Sequence, residues 1–290
     1  MNGIFYPLHL GDPINQFFTG VVSRYGEVFH HVSVVLLLYA LNPVEAMLKA
    51  APPLLVIALI GAIAWLGARR IGRALLLMAL TYVIGCLGLW DKLISTCAIM
   101  LTALVLTTVI GVPVGIAVSR SAWLARVCNP MLDMMQTLPS FVYLIPVVML
   151  FGLGRVPAIF ATMIYALPPL VRLTDLGLRQ VPADVVEASR SFGATSWQQL
   201  IAVELPLALP SIMAGVNQAV MMSLAMVVIA SMIGARGLGE DVLSGINNLD
   251  MGQGVVAGVA IVILAIVFDR ITQSFGVSRR LRRQARSGSV

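Results

Sequence analysis

Residues 175–210 read DLGLRQVPADVVEASRSFGATSWQQLIAVELPLALP and lie between two apolar runs. The stretch is amphipathic and sparsely charged, with Asp175, Arg179, Asp184, Glu187, Arg190 and Glu204. Pro182 followed by Ala183 and Asp184 predicts a helix start. Proline fits the first turn, where its missing N–H costs nothing, and a carboxylate is favourable at the positive end of the helix dipole. Val185, Val186, Ser189 and Phe192 then recur near helical spacing. Gly193 permits the left-handed residue that closes such a helix. Thr195 or Ser196 can cap a second helix, which carries Trp197, Leu200 and Ile201 on one face. The sequence therefore predicts two short surface helices hinged at Gly193, inserted between membrane-length runs.

The rest of the chain explains why those runs belong in a bilayer. Of 290 residues, 59% are hydrophobic and 11% charged, and the mean hydropathy is +0.94. A soluble domain carries about 25% charged residues because its surface faces water. This chain has too few to coat a globule of its size, so its surface faces hydrocarbon. Uncharged runs lie at 50–68, 74–90, 93–119, 134–154, 156–171, 205–235 and 251–268. They predict an all-α, polytopic transmembrane bundle of about seven spans, in which the short run 156–171 extends through Arg172. Prolines at 113, 139, 146, 168, 169, 206 and 210 fall within or at the edges of spans, as in transporter cores where neighbours satisfy the freed carbonyls.

Basic residues set the expected orientation. With the loop at Arg69–Arg73 placed inside, fourteen of the nineteen Lys and Arg residues fall inside. Only Arg24, Lys49, Lys92, Arg155 and Arg236 fall outside. The reading divides the chain into an extracytoplasmic or interfacial amphipathic segment (1–49), a transmembrane domain (50–275) and a basic cytoplasmic tail (276–290). Within the membrane domain, 174–204 form a cytoplasmic loop. The run Val32–Leu41 is ten residues long, too short to span, and reads as an interfacial or re-entrant helix. An eighth span there would reverse the side of the N-terminus. No basic region followed by an apolar stretch marks a cleaved signal in MNGIFYPLHLGDP. The tail SRRLRRQARSGSV reads as a topology anchor beside anionic lipid.

Several chemistries are excluded. A P-loop needs a lysine after a glycine-rich turn to reach the nucleotide phosphates. Lys49 in MLKAAPP and Lys92 in LWDKLI are the only lysines, and neither follows such a turn. If ATP drives this protein, another subunit binds the nucleotide and its Mg²⁺; no cofactor is expected on this chain. Cys86, Cys97 and Cys128 are scattered among apolar residues and read as small buried hydrophobes. His30 and His31 are adjacent, so they point to different helix faces, and no metal site is expected.

The loop quoted first resembles a known signature. Glu187-Ala188-Ser189, Gly193, Val203 and Leu205-Pro206 are similar, in residue type and spacing, to the EAA loop of bacterial ABC importer permeases. The chain departs from it mildly, with Ser189 for a second Ala and Val203 for Ile. The resemblance implies the ABC importer type I permease fold and no catalytic residue. It also implies that Glu187, Ala188 and Gly193 dock on an ATP-binding subunit while Leu205-Pro206 open the next span. Five further segments, Gly88–Lys92, Met135–Pro146, Arg179–Asp184, Ala214–Gln218 and Ala230–Ala235, resemble permeases for glycine betaine, proline betaine and choline. The similarity covers roughly residues 50–275. It implies a multi-pass protein of the bacterial inner membrane, with two permease copies, two ATP-binding subunits and an extracytoplasmic binding protein. Uptake of another small solute such as an amino acid, or a non-transporting membrane scaffold, stays open on sequence alone.

Polar residues inside spans are costly and point to a pathway or a helix contact. Asn217 and Gln218 are the first candidates, followed by Gln136, Thr137, Ser140, Phe141 and Tyr143, whose aromatic rings suit a quaternary amine. At the outer side, Asp91 and Lys92 read either as a local turn ion pair or as a binding-protein contact. Arg236, Glu240 and Asp241 pose the same choice, in a segment expected to hold a short helix.

Overall fold

Long apolar runs satisfy their backbone polar groups within one segment only as helix. The computed structural model describes residues 11–276, and every regular element in it is helical. In chain order these are α1 (Gly11–Ala50), α2 (Pro53–Ala68), α3 (Ile71–Cys86), α4 (Trp90–Arg120), α5 (Ala122–Thr137) and α6 (Ser140–Phe151). They continue as α7 (Arg155–Arg179), α8 (Ala183–Ser191), α9 (Ser196–Gln199), α10 (Leu205–Ile229), α11 (Leu238–Asn247) and α12 (Met251–Gly276). The expected absence of a signal sequence and the basic tail both concern residues outside those described.

The centre of the bundle is α7, which packs between α4 and α10. Small residues let the backbones approach. A Cβ on Gly115 of α4 would lie 2.6 Å from Thr174 Cβ, and one on Gly177 of α7 would lie 2.6 Å from Ser211 Cβ. The facing pairs Gly111–Leu170 and Gly115–Thr174 run α4 and α7 parallel, whereas Gly177–Ser211 and Gly215–Leu173 run α10 antiparallel to α7. This is the close, small-residue packing that substitutes for a hydrophobic driving force in lipid. A large core adds Leu77 and Ile84 of α3, Ile99 of α4, Ile159 of α7, Leu238 of α11 and Leu264 of α12. On α12 the exposed residues Val255, Val259, Val262 and Ile266 form an apolar stripe suited to acyl chains.

Among the described residues, five helical stretches are long and apolar enough to cross a membrane: Gly11–Ala50, α4, α7, Ser196–Ile233 and Met251–Ser274. The bent pair α5–α6 makes a sixth if counted as one span. The first two expected spans, 50–68 and 74–90, appear as the α2–α3 hairpin, two shorter apolar helices closed by left-handed Arg69. At 16 residues each they reach about 24 Å, short of a 30 Å hydrocarbon core.

Two expectations change in detail. The run 134–154 is not one straight span, because α5 and α6 meet at 103°. Leu138 is extended (φ −68°, ψ 133°), the conformation imposed on a residue that precedes proline, here Pro139. Val32–Leu41 is not a short isolated helix either. It lies inside the 40-residue α1, which widens into a π-helical turn at Leu37–Leu41 just before Pro43. The widened turn accommodates the hydrogen bond that Pro43 cannot donate. Phe29 of α1 meets the Phe151 ring edge-on at 5.3 Å, and Phe151 stacks on Phe160 at 4.4 Å. The run 156–171 does extend through Arg172, as far as Arg179.

Candidate coupling site

The loop between α7 and α10 folds as its local signals dictate. Pro182 caps α8, whose first turn carries Asp184. At the other end, Ala194 N–H donates to Ser189 O at 3.1 Å and Gly193 N–H to Arg190 O at 2.9 Å. That pair of bonds is the Schellman closure, and it needs the left-handed φ of +81° that Gly193 supplies. Thr195 then starts α9 with a capping box. Its backbone N–H donates to Gln198 Oε1 at 2.9 Å, and Gln198 N–H donates back to Thr195 Oγ1 at 3.4 Å. Both helix ends are thus satisfied locally.

None of the nine residues of α8 is buried. Glu187 and Ala188 are exposed, and Ser189 is half-buried with its hydroxyl turned back to Val186 O at 2.9 Å. Phe192 is 92% exposed and Trp197 69%. The expected single face of Trp197, Leu200 and Ile201 is therefore split. Leu200 is buried against Leu178, Ala208 and Ile212, whereas Trp197 and Ile201 point outward. Two large aromatic side chains flanking a capped glycine hinge form a preorganised apolar knob, the kind of surface that anchors a protein interface. Val203 and Leu205 are half-buried, and Pro206 lies in the first turn of α10.

Beneath the knob lies a polar cluster that the sequence did not reveal. Gln199 and Glu204 are 2% and 6% exposed. Glu204 accepts from Arg120, the last residue of α4, and from Gln199 Nε2. Gln199 Oε1 in turn accepts from Arg190 Nε at 3.1 Å. Five positions apart, residues 199 and 204 would point about 140° apart on an α-helix. The π-helical turn Leu200–Glu204 brings them together. Close by, Arg179 donates to Asp175 at 2.6 Å and to Val118 O at 3.1 Å, tying α7 to α4.

The opposite end of the bundle gathers the other expected charges. Lys92 pairs with Asp241, which is 3% exposed and also accepts from Gln253 Nε2 at 2.9 Å. Asp91 and Arg236 are exposed and Glu240 is half-buried. Arg155 pairs with Glu45, which also accepts from Ser95 at 3.2 Å. The short helix expected in this segment is α11.

The pathway candidates separate. Asn217 donates to Asp269 of α12 at 3.2 Å and accepts from Thr272, so its amide joins α10 to α12. Gln218 is exposed and has no hydrogen-bond partner among the described residues. Tyr143 is buried, donates to Met135 O across the α5–α6 bend and meets the Tyr165 ring at 5.8 Å. Gln136, Thr137 and Phe141 are exposed around the same bend and Ser140 is half-buried.

A helical membrane bundle of this topology, with an exposed knob at one end, has the ABC importer type I permease fold. The fold matches the inward-facing MetNI methionine ABC transporter with a TM-score of 0.56 at 23% identity, covering 70% of this chain and 96% of that one. Residues 107–282 match the binding-protein-dependent transport system inner membrane component, and the chain belongs to that family. It is 50% identical over 262 residues to the glycine betaine/proline betaine transport system permease protein ProW of Escherichia coli, covering 90% of this chain and 73% of that protein. It is 42% identical over 276 residues to the glycine betaine transport system permease protein OpuAB of Bacillus subtilis, covering 95% and 97%.

Proposed function

We propose that this chain imports quaternary ammonium osmolytes, such as glycine betaine, proline betaine and choline, as the permease of an ATP-driven transporter. The single observation that carries the coupling part is α8 itself, a capped helix without one buried residue, flanked by exposed Phe192 and Trp197. Such a surface is costly in water and is accounted for by a protein partner. That partner is an ATP-binding subunit, which holds the nucleotide and Mg²⁺. Two such subunits, two copies of this chain and an extracytoplasmic binding protein complete the assembly. The cargo follows the glycine betaine transport of the relatives ProW and OpuAB.

In this reading α8 and α9 lie in the cytoplasm. Arg120, Arg179 and Arg190 cluster at their end of the bundle, which supports that side under the positive-inside rule. The C-terminus is then cytoplasmic, and with α1 lying along the membrane interface rather than crossing it the N-terminus is extracytoplasmic. ATP binding draws the docked α8 helices of the two copies together, and the bundle re-orients its pathway between the two faces. The test is uptake of labelled glycine betaine into proteoliposomes holding the full assembly, with choline, carnitine and proline as competitors. ATP-dependent uptake that choline suppresses is expected. ATP-dependent uptake of an amino acid without betaine uptake would overturn the cargo, and absence of any uptake would overturn transport.

A further inference from the structure

A helix with no buried residue has almost no apolar packing through which to push on its own protein. That is the condition of α8. Its side-chain connection to the bundle runs through Arg190, which donates to Gln199. Gln199 donates to Glu204, and Glu204 uses its other carboxylate oxygen to pair with Arg120. The chain of contacts crosses α8, α9, the root of α10 and the end of α4, each through a different residue. Both middle members are nearly inaccessible to water, at 2% and 6% exposure. A buried carboxylate and amide that satisfy each other form a stiff joint, because breaking any bond strands a polar group. The π-helical turn that aligns them sits between α9 and α10, and such turns interrupt otherwise regular helices at functional places.

We infer that Glu204 is a positioning residue for transport, the joint that makes α4 and α10 move with α8. The inference rests on the proposed docking of α8 on an ATP-binding subunit. Arg120 is 40% exposed at its side chain, so the role of the pair is geometric rather than a large contribution to stability. Without the joint, α8 still docks and ATP is still hydrolysed, but the displacement no longer reaches α4 and α10.

The experiment uses the complete transporter in proteoliposomes and reads betaine taken up per ATP hydrolysed. Glu204→Ala is expected to lower that ratio by about tenfold, within the range of mutations along a coupling network, while ATP hydrolysis persists. Glu204→Gln, which keeps the shape and removes the charge, is expected to lower it less. The exchange Arg120→Glu with Glu204→Arg is expected to recover a large part of the ratio, which a defect of packing alone would not. Should Glu204→Ala fail to assemble, Glu204→Gln and the exchange decide. An unchanged ratio in Glu204→Gln and no recovery on exchange would overturn the inference. A photo-crosslinker at Val185 in the wild-type complex separates the two readings. Cross-linking to the ATP-binding subunit with an unchanged ratio overturns only the joint. Its absence overturns the docking of α8 and the joint with it.

Discussion

Lys92 forms its ion pair with Asp241, across the bundle, and not with its neighbour Asp91. The pair links the first turn of α4 to α11. Asp241 also accepts from Gln253 of α12, and Leu238 N–H donates to Thr96 Oγ1 at 2.9 Å. Helix α11 is thereby bound to both neighbours by polar contacts in its first turn. This long-range pair replaces the local turn pair between Asp91 and Lys92 that the sequence suggested.

This arrangement predicts different costs for adjacent substitutions. Lys92→Met strands a carboxylate that is 3% exposed, whereas Asp91→Asn alters an exposed residue. The lysine side chain is 38% exposed, so the cost lies between surface and buried pairs, about 1–3 kcal/mol. Denaturant titration of the purified permease in detergent should show Lys92→Met destabilised and Asp91→Asn unchanged. Adding Asp241→Asn to Lys92→Met should restore part of the loss, since the stranded charge is gone.

Gly193 predicts a conformational effect without a steric one. A Cβ there meets nothing within 4 Å, but φ is +81°. A β-branched residue held at that φ costs about 1–3 kcal/mol and opens the Schellman closure. Gly193→Val should leave membrane insertion intact and abolish betaine uptake. Gly193→Asn, which tolerates the left-handed region, should retain more uptake than Gly193→Val. Equal uptake by both variants and the wild type would remove the hinge from the mechanism.

The contrast between Gly193 and Glu204 shows what a single sequence carries. Pro182, Gly193 and Thr195 act on residues within one turn of themselves, so their roles were legible from order and spacing. Glu204 acts on Arg120, 84 positions away, after a π-helical turn that no local pattern announces. Pro139 was visible as a helix breaker, yet reading spans from charge boundaries averages over it, so the 103° bend was lost. The all-helical membrane fold was legible because composition and run length alone decide where a chain can bury its backbone. Helix ends and long-range polar pairs depend on which faces meet, and those appear only in three dimensions.

Close packing of α7 predicts that even one methyl group is felt. A Cβ on Gly177 would lie 2.6 Å from Ser211 Cβ and 3.2 Å from Ala208 O. Gly177→Ala should therefore destabilise the bundle by about 1–3 kcal/mol, the usual cost of overpacking. Ser211→Gly removes the obstructing atom, so the double variant should regain stability relative to Gly177→Ala. Gly258 on α12 has open space where its Cβ would stand. Gly258→Ala should leave the thermal midpoint unchanged, which makes it the control.

Asn217 and Gln218 are neighbours in sequence with opposite expected behaviour. Asn217 spends its amide on Asp269 and Thr272, fixing α10 to α12. Asp269 keeps Gln273 at 2.6 Å, and Thr272 keeps Phe268 O at 2.8 Å, when that amide is removed. Asn217→Leu should thus cost about 1 kcal/mol, the value of one or two shared hydrogen bonds, with uptake falling in step with stability. Gln218 makes no hydrogen bond among the described residues and stands on the exposed face of α10. An amide facing hydrocarbon unpaired is unfavourable, so in the proposed assembly that face is expected to line the pathway or to meet the second copy. Gln218→Ala should leave the unfolding midpoint unchanged and lower the rate of betaine uptake. Unaltered uptake together with a raised midpoint would instead place Gln218 against lipid.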